Sequence, residues 1–331
     1  MFGLFGGPGF LVVCLLIVGI AGAIAYLALT GGLGSAGQAT INLPGAGVPP
    51  TPHASPAPAA SSGPAQLQSM PAAPVAKESS VSVAIEEDLS PAELLAKYPP
   101  DPGAALLPGV EGSPAWQRFG RQSTISPQAP RVALIITGLG RDRIDTVRAI
   151  TGAAPEASLS FAGDAADLAD WIAAARAYGH EAMLDLPLDG ASSDGLALQF
   201  GPEENLRRLD AMLAKAPMIA GVAVSGGDSF LADAAALQPL LKHLQAAGLA
   251  VAGLPVTAPL TIATDETIAS QATQSDIDSS LRSVMALARR RGAALGIVES
   301  TSASSLFPAW QRALIGRDET SLVPASALVG E

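Results

Sequence analysis

Three aspartates fall in or just behind strand-like apolar runs. They are Asp185 inside "EAMLDLPL", Asp189 in the following Asp-Gly, and Asp228 behind "GVAVSGG"; Glu299 follows a fourth such run, "AALGIV". Carboxylates on neighbouring strand ends form hard oxygen sites suited to calcium or magnesium. Asp185 alternates with Met183 and Pro187, opposite Leu184, Leu186 and Leu188, so it points away from the leucine face. The same three aspartates also fit a plainer reading, with Asp189 and Asp228 as turn or cap residues. His180 is the other chemically capable side chain. It directly follows Gly179 and opens its strand, at the end of the sheet opposite the usual site face, so it is expected to bond backbone groups. His243 lies beside Leu244 in a leucine-rich helix pattern. Trp171 and Trp310 lie in helical contexts as packing residues. Trp116, in an irregular stretch, is an aromatic that could stack on a ligand.

These residues need a scaffold, and the pattern after Pro130 supplies one. Strand-length apolar runs occur at 131–137, 157–162, 181–188, 219–225, 249–254 and 293–298. Between them, apolar residues recur at helical spacing: Leu168, Trp171, Ile172, Ala175 and Tyr178 up to Gly179; Leu206, Leu209, Met212 and Leu213 after Pro202; Leu237, Leu240, Leu241 and Leu244 before Gly248. Ile277, Leu281, Val284 and Met285 follow Ser275, read as an N-cap with Asp278 three residues on. Near-continuous apolar strands alternating with amphipathic helices predict parallel pairing with helical crossovers. The class is α/β, as a barrel or an open sheet.

The first strand ends in Thr137-Gly138-Leu139-Gly140. A dinucleotide fingerprint needs a third glycine, but Arg143 stands there, and no acid ends the second run at Phe161-Ala162. A tight turn feeding a helix is the reading retained.

The 331-residue chain carries a net charge of -11, and no Asp, Glu, Lys or Arg occurs before Lys77. An acidic domain without a basic face argues against a nucleic-acid partner. Arg289-Arg290-Arg291 is read as cations at a helix C-terminus. The single cysteine, Cys14, excludes an intrachain disulfide.

Residues 1–30 contain the uncharged apolar run Gly9–Leu29, about 30 Å long as a helix, enough to cross a bilayer's hydrocarbon core. A membrane span is the leading reading, with a cleaved signal peptide and a buried soluble helix as alternatives. Residues 31–76, rich in Gly, Pro, Ala and Ser, read as a disordered linker, and His53 within it as a bystander. Residues 77–129 form a lead-in containing "SPAELLAKY", where Ser90, Pro91 and Glu93 mark a capped helix. This lead-in either wraps the following domain, 130–331, or stays mobile. The order of segments suggests a single-pass anchor in the inner (cytoplasmic) membrane with the folded domain exported.

Read together, "ALIITGLG", "GHEAMLDLPLDG", "GVAVSGGDS" and "AALGIVES" resemble the divergent polysaccharide deacetylases, over about Pro130 to Glu299. The G-H-E…L-P segment is the most specific part. The resemblance implies a distorted (β/α) barrel of mostly parallel strands. It also implies a hydrolase in which a divalent metal polarises an N-acetyl carbonyl and activates water. In that family the first strand ends V-I-D-D-L-G, a later one G-V-N-N-H-M-G-S, and a late one near I-G-H-P. Here the two aspartates fall on Thr137 and Gly138, the N-N-H residues on Ala223, Val224 and Ser225, and the last histidine on Ile297. No cofactor is therefore expected, and whether the chain is an enzyme stays open. The leading reading is an inactive, membrane-anchored deacetylase-like domain that binds a cell-envelope polysaccharide or an envelope protein. Its site would be lined by Thr137, Asp185, Asp189, Ser225 and Asp228. The alternatives are an active deacetylase with rearranged ligands and a structural envelope-assembly protein.

Overall fold

The computed structural model describes residues 85–190, 195–224, 226–254, 258–269, 272–300 and 320–330. The expectations for residues 9–29, the linker 31–76, Ser225 and Trp310 lie outside them. Among the described residues no helix is long and apolar enough to cross a membrane.

Among the described residues nine strands form one parallel sheet: β1 (Arg131–Leu139), β2 (Ser158–Ala162), β3 (Ala182–Asp185), β4 (Gly221–Ala223), β5 (Ala250–Ala252), β6 (Thr261–Ile262), β7 (Glu266–Ile268), β8 (Ala293–Glu299) and β9 (Ser321–Val323). The helices are α1 (Pro91–Lys97), α2 (Ala115–Phe119), α3 (Arg143–Gly152), α4 (Leu168–Ala177), α5 (Gly201–Leu213), α6 (Asp228–Ala232), α7 (Ala234–Ala246) and α8 (Gln274–Arg291).

The strand order β6-β5-β4-β3-β2-β1-β8-β7 is a curled sheet consistent with a distorted (β/α) barrel. Val251 and Ala252 pair with Thr261 and Ile262, while Glu266 to Ile268 pair with Gly296 to Val298. One extended segment, 261–268, thus bonds β5 with its first half and β8 with its second, and the two ends of the sheet meet on it. The Asp265 carboxyl continues the ladder by accepting from the Leu295 amide at 3.0 Å.

The apolar strands are buried on both faces, as parallel strands under helices must be. Val132, Leu134 and Ile136 pack outward with Val147, Ile150, Leu159, Phe161, Trp171 and Ile172. Ala133, Ile135, Met183, Ala223, Ala250, Ala252, Ile262 and Leu295 pack inward. The small inner residues are what a narrow barrel interior admits.

The six expected strands are all present, in shortened form where Pro187 and glycines interrupt the ladder. Three strands escaped the sequence reading. β6 and β7 are two and three residues long, below the length at which a pattern shows. β9 pairs with Arg131 to Ala133, on the edge that β1 presents to β2 further along, where Ile135 meets Ser158. The turn after β9 then closes the N-terminal end of the barrel, with Ala325 and Leu328 in the inner cluster. One helix start is corrected. The N-cap of α8 is Thr273, not Ser275, because Asp276 bonds both the Thr273 amide and its hydroxyl while Thr273 caps the Asp276 amide. This reciprocal capping box forms two residues earlier than the expected frame. The arginine triplet lies in the last turn of α8, as its charges favour.

The lead-in first packs α1 on the outer helical layer, with Leu94 in the outer cluster, and then runs along the N-terminal ends of the strands, which we call the base. Ile85 donates to the Thr151 hydroxyl at the end of α3, Tyr178 donates to the Tyr98 carbonyl, and Trp116 donates its amide to the Gly248 carbonyl at 2.9 Å. The α1 helix has the expected Ser90–Glu93 capping box.

Candidate functional site

The opposite end, the rim, carries the C-terminal strand ends. Here β1 departs from regular geometry. Ile136 pairs with Leu159 but Leu139 with Phe161, so β1 holds one residue more than β2 between these pairs. Gly138 sits in this bulge with φ +81°. A bulge of this kind re-aims a backbone group, and glycine tolerates the left-handed conformation. The re-aimed Gly138 amide donates to Asp185 Oδ2 at 2.7 Å, across the intervening β2. The turn closes at Gly140, φ +90°, where a Cβ would lie 2.6 Å from Ala165 Cβ. Its amide donates to the Thr146 hydroxyl at 2.8 Å. The Thr-Gly-Leu-Gly sequence is therefore a bulge and turn that feed α3.

Asp185 does point into the barrel end, as its alternation predicted. Part of the residue reaches the surface, but Oδ1 is sealed from it and completes no hydrogen bond. The fully buried Ser160 sets its hydroxyl beside this carboxyl without forming a well-shaped bond to it. Burial pushes the Asp185 carboxyl above the usual carboxylate range. The adjacent Ser160 hydroxyl and Gly138 amide, and the more distant Arg141 charge, oppose that shift. Arg141 itself pairs with Asp164 at 3.0 Å. Thr137 is 3% exposed, and its hydroxyl donates to the Val298 carbonyl at 3.4 Å.

Asp189 has a separate role. At φ 54°, it accepts from the amides of Ser229 and Phe230, both at 3.0 Å. It ties the loop after β3 to the first turn of α6, where Asp228 stands exposed. The structure thus joins Thr137-Gly138 with Asp185, and Asp189 with the helix that begins at Asp228. The shared Asp185–Asp189–Asp228 cation cluster entertained from sequence is not what the hydrogen bonding describes. Both Asp189 oxygens accept amide protons, which is the cap reading. Among the described residues no group of three metal-ligating side chains occurs.

The metal of the resembled family does not fit the side chains present. Thr137, Gly138, Ala223, Val224 and Ile297 occupy the described ligand positions; Thr137 is bonded to backbone and Ile297 is buried. An aspartate at 138 would need φ +81°, and its Cβ would stand 3.0 Å from Ser300 Oγ.

The His180-Glu181 pair belongs to the base. His180 Nε2 lies 2.9 Å from the Ile150 carbonyl and Nδ1 3.2 Å from that of Ala157. Burial holds the imidazole below its ordinary range, against the pull of these two carbonyls. The sequence reading passed over Glu181, whose signal was a carboxylate opening the apolar run that becomes β3. It accepts from Ser158 Oγ at 2.9 Å, the Ser326 amide at 3.1 Å, the Arg121 amide at 3.2 Å, and the Ser326 hydroxyl. Burial raises its pKa, and the Ser326 hydroxyl is the largest of the bonds opposing that rise. Ser158 Oγ also accepts from the Ala325 amide. The Gly-His-Glu sequence thus fastens the lead-in, β2, β3 and the C-terminal turn together. Trp116 is also at the base, packed against the inner cluster, so it is no stacking platform at the rim. His243 joins α7 to α5 through Asp210 at 2.7 Å.

Comparison with known proteins agrees with this architecture. A solved structure of an uncharacterized protein, ATU2773, from Agrobacterium tumefaciens C58 superposes with a TM-score of 0.61 at 26% identity, covering 68% of this chain and 100% of that one. No curated protein matches the chain. The family model described as divergent polysaccharide deacetylase matches residues 134–329. The chain belongs to the divergent polysaccharide deacetylase family.

Proposed function

We propose that this is a deacetylase-like domain without metal-dependent catalysis. In this reading residues 9–29 anchor it in the inner membrane, the domain is exported, and its rim binds a cell-envelope polysaccharide or an envelope protein. One observation carries the loss of catalysis. Where the family would place two aspartates, this chain places Thr137 and a bulged Gly138 whose amide holds Asp185. A water-activating site needs a cation or a base open to substrate, and a carboxyl sealed at Oδ1 supplies neither. Support for a rim-binding role comes from the fold alone, since barrels of this type carry their sites on the loops after the strands.

The test uses the full chain in detergent. Pulldown with peptidoglycan or chitin fragments, alongside envelope extract, reads binding; acetate release from N-acetylated oligosaccharides reads catalysis. Retention of one of these materials without acetate release supports the proposal. Stoichiometric metal with turnover establishes instead an active deacetylase with rearranged ligands. Absence of any binding leaves the structural envelope-assembly role.

A further inference from the structure

Leu107 and Val110 are 81% and 77% exposed, the two most exposed large apolar side chains among the described residues. They sit on one short loop that is fixed on both sides. The Leu106 amide donates to the Arg176 carbonyl, and Arg176 Nη2 donates back to the Leu106 carbonyl, both at 2.9 Å. The Gly109 amide donates to the Arg118 carbonyl at 2.6 Å. Arg176, in the last turn of α4, also bonds the carbonyls of Phe119 and Met218. Backbone ties at 106 and 109 therefore hold Leu107 and Val110 outward. Two aliphatic side chains displayed this way have no internal partner to explain them.

The loop lies at the base, tied to the C-terminal end of α4 through Arg176. The described chain also begins at the base, at Ile85 beside Thr151. A Gly/Pro/Ala/Ser-rich stretch separates Ile85 from the apolar run 9–29. On the linker reading of residues 31–76, a chain of this length has a root-mean-square span of about 40 Å, short enough to keep the base at high local concentration near a bilayer that holds the apolar run. Arg289, Arg290 and Arg291 are exposed where α8 runs into β8, on the same face, and Arg291 pairs with Asp265. Asp101 and Glu111 flank the loop, so apolar insertion rather than charge is its principal attraction to lipid.

We propose that the Leu107–Val110 loop docks on the lipid surface of the membrane that anchors the chain, so that the base faces the bilayer and the rim faces away from it. This rests on the reading of residues 9–29 as a membrane span.

The test places an environment-sensitive fluorophore on full-length Leu107→Cys in a Cys14→Ser background, reconstituted in vesicles of phosphatidylethanolamine and phosphatidylglycerol. A second chain carries the label at Asp228→Cys on the rim. The expected result is a blue shift and quenching by nitroxide-bearing lipids at 107, and neither at 228. Substituting Val110→Ser in the labelled chain should reduce the shift at 107. Carbonate-resistant vesicle association without a shift at 107 overturns this inference and leaves the anchor reading standing. Loss of the protein in carbonate overturns both. A shift at 107 that persists in detergent, together with disulfide-linked dimers on oxidation of the unlabelled Leu107→Cys chain, identifies a second copy as the occupant, which also overturns it.

Discussion

Asp185 Oδ2 lies 2.7 Å from the amide nitrogen of Gly138, spanning β2 to join β3 to β1 at the rim. The contact needs both the β1 bulge and a glycine at φ +81°. It explains why an aspartate pointing into the barrel is not a free ligand, and it ties β1 to β3 at the rim.

Replacing Asp185 with Asn keeps the shape and an acceptor for Gly138, and its amide can donate to Ser160. Asp185→Asn is expected to retain the fold, whereas Asp185→Ala loses about 1–3 kcal/mol by orphaning the Gly138 amide. The pH dependence has a definite sign. Burial raises the folded-state pKa above the unfolded value, so the folded state holds the proton more tightly. That contribution is fully present below the ordinary carboxylate range and is lost as pH rises through the raised folded value. Urea unfolding of wild type and Asp185→Asn across pH 4–9 should show wild type losing stability relative to the variant as pH rises. The opposite slope contradicts the assignment.

Gly138→Ala puts a Cβ into a left-handed residue and 3.0 Å from Ser300 Oγ. The expected cost is about 1–2 kcal/mol from the backbone conformation alone, read as a lower urea midpoint with unchanged m-value.

Around Glu181 the partners are donors: two backbone amides and two serine hydroxyls. Glu181→Gln sets an amide NH2 against at least one of them. We expect a loss of about 1–3 kcal/mol and faster hydrogen exchange within residues 320–330. Equal exchange in both proteins removes Glu181 as the fastening point of the C-terminal turn.

Asp189 and Asp228 should separate cleanly. Asp189→Ala removes the acceptor for two amides of α6 and is expected to cost about 1 kcal/mol, as for a helix cap. Asp228→Ala changes an exposed residue and should stay within about 0.5 kcal/mol of wild type. Thermal melts of the two variants decide this.

Much of the scaffold was readable because long apolar strands between capped helices announce themselves locally. The Ser90 cap of α1 and the Gly179 stop of α4 came from a few adjacent residues. Partners distant in sequence did not. The 261–268 segment is strand only because β5 and β8 flank it, and β9 only because β1 offers an edge. At the rim, the turn into α3 was legible at Gly140, but Thr137 to Leu139 stay in β1, and the bulge that aims the Gly138 amide at Asp185 depends on the β2 register. Glu181 was hidden for the same reason, since its partners Ser158 and Ser326 come from opposite ends of the domain.

The central claim concerns metal chemistry at the rim, and metal content tests it most directly. Full-length protein should be incubated with zinc, desalted, and assayed for bound metal and for acetate release from N-acetylated oligosaccharides. The account predicts metal well below one equivalent and no acetate above a heat-treated control. One equivalent of retained zinc, lost together with acetate release in Asp185→Asn, would contradict it.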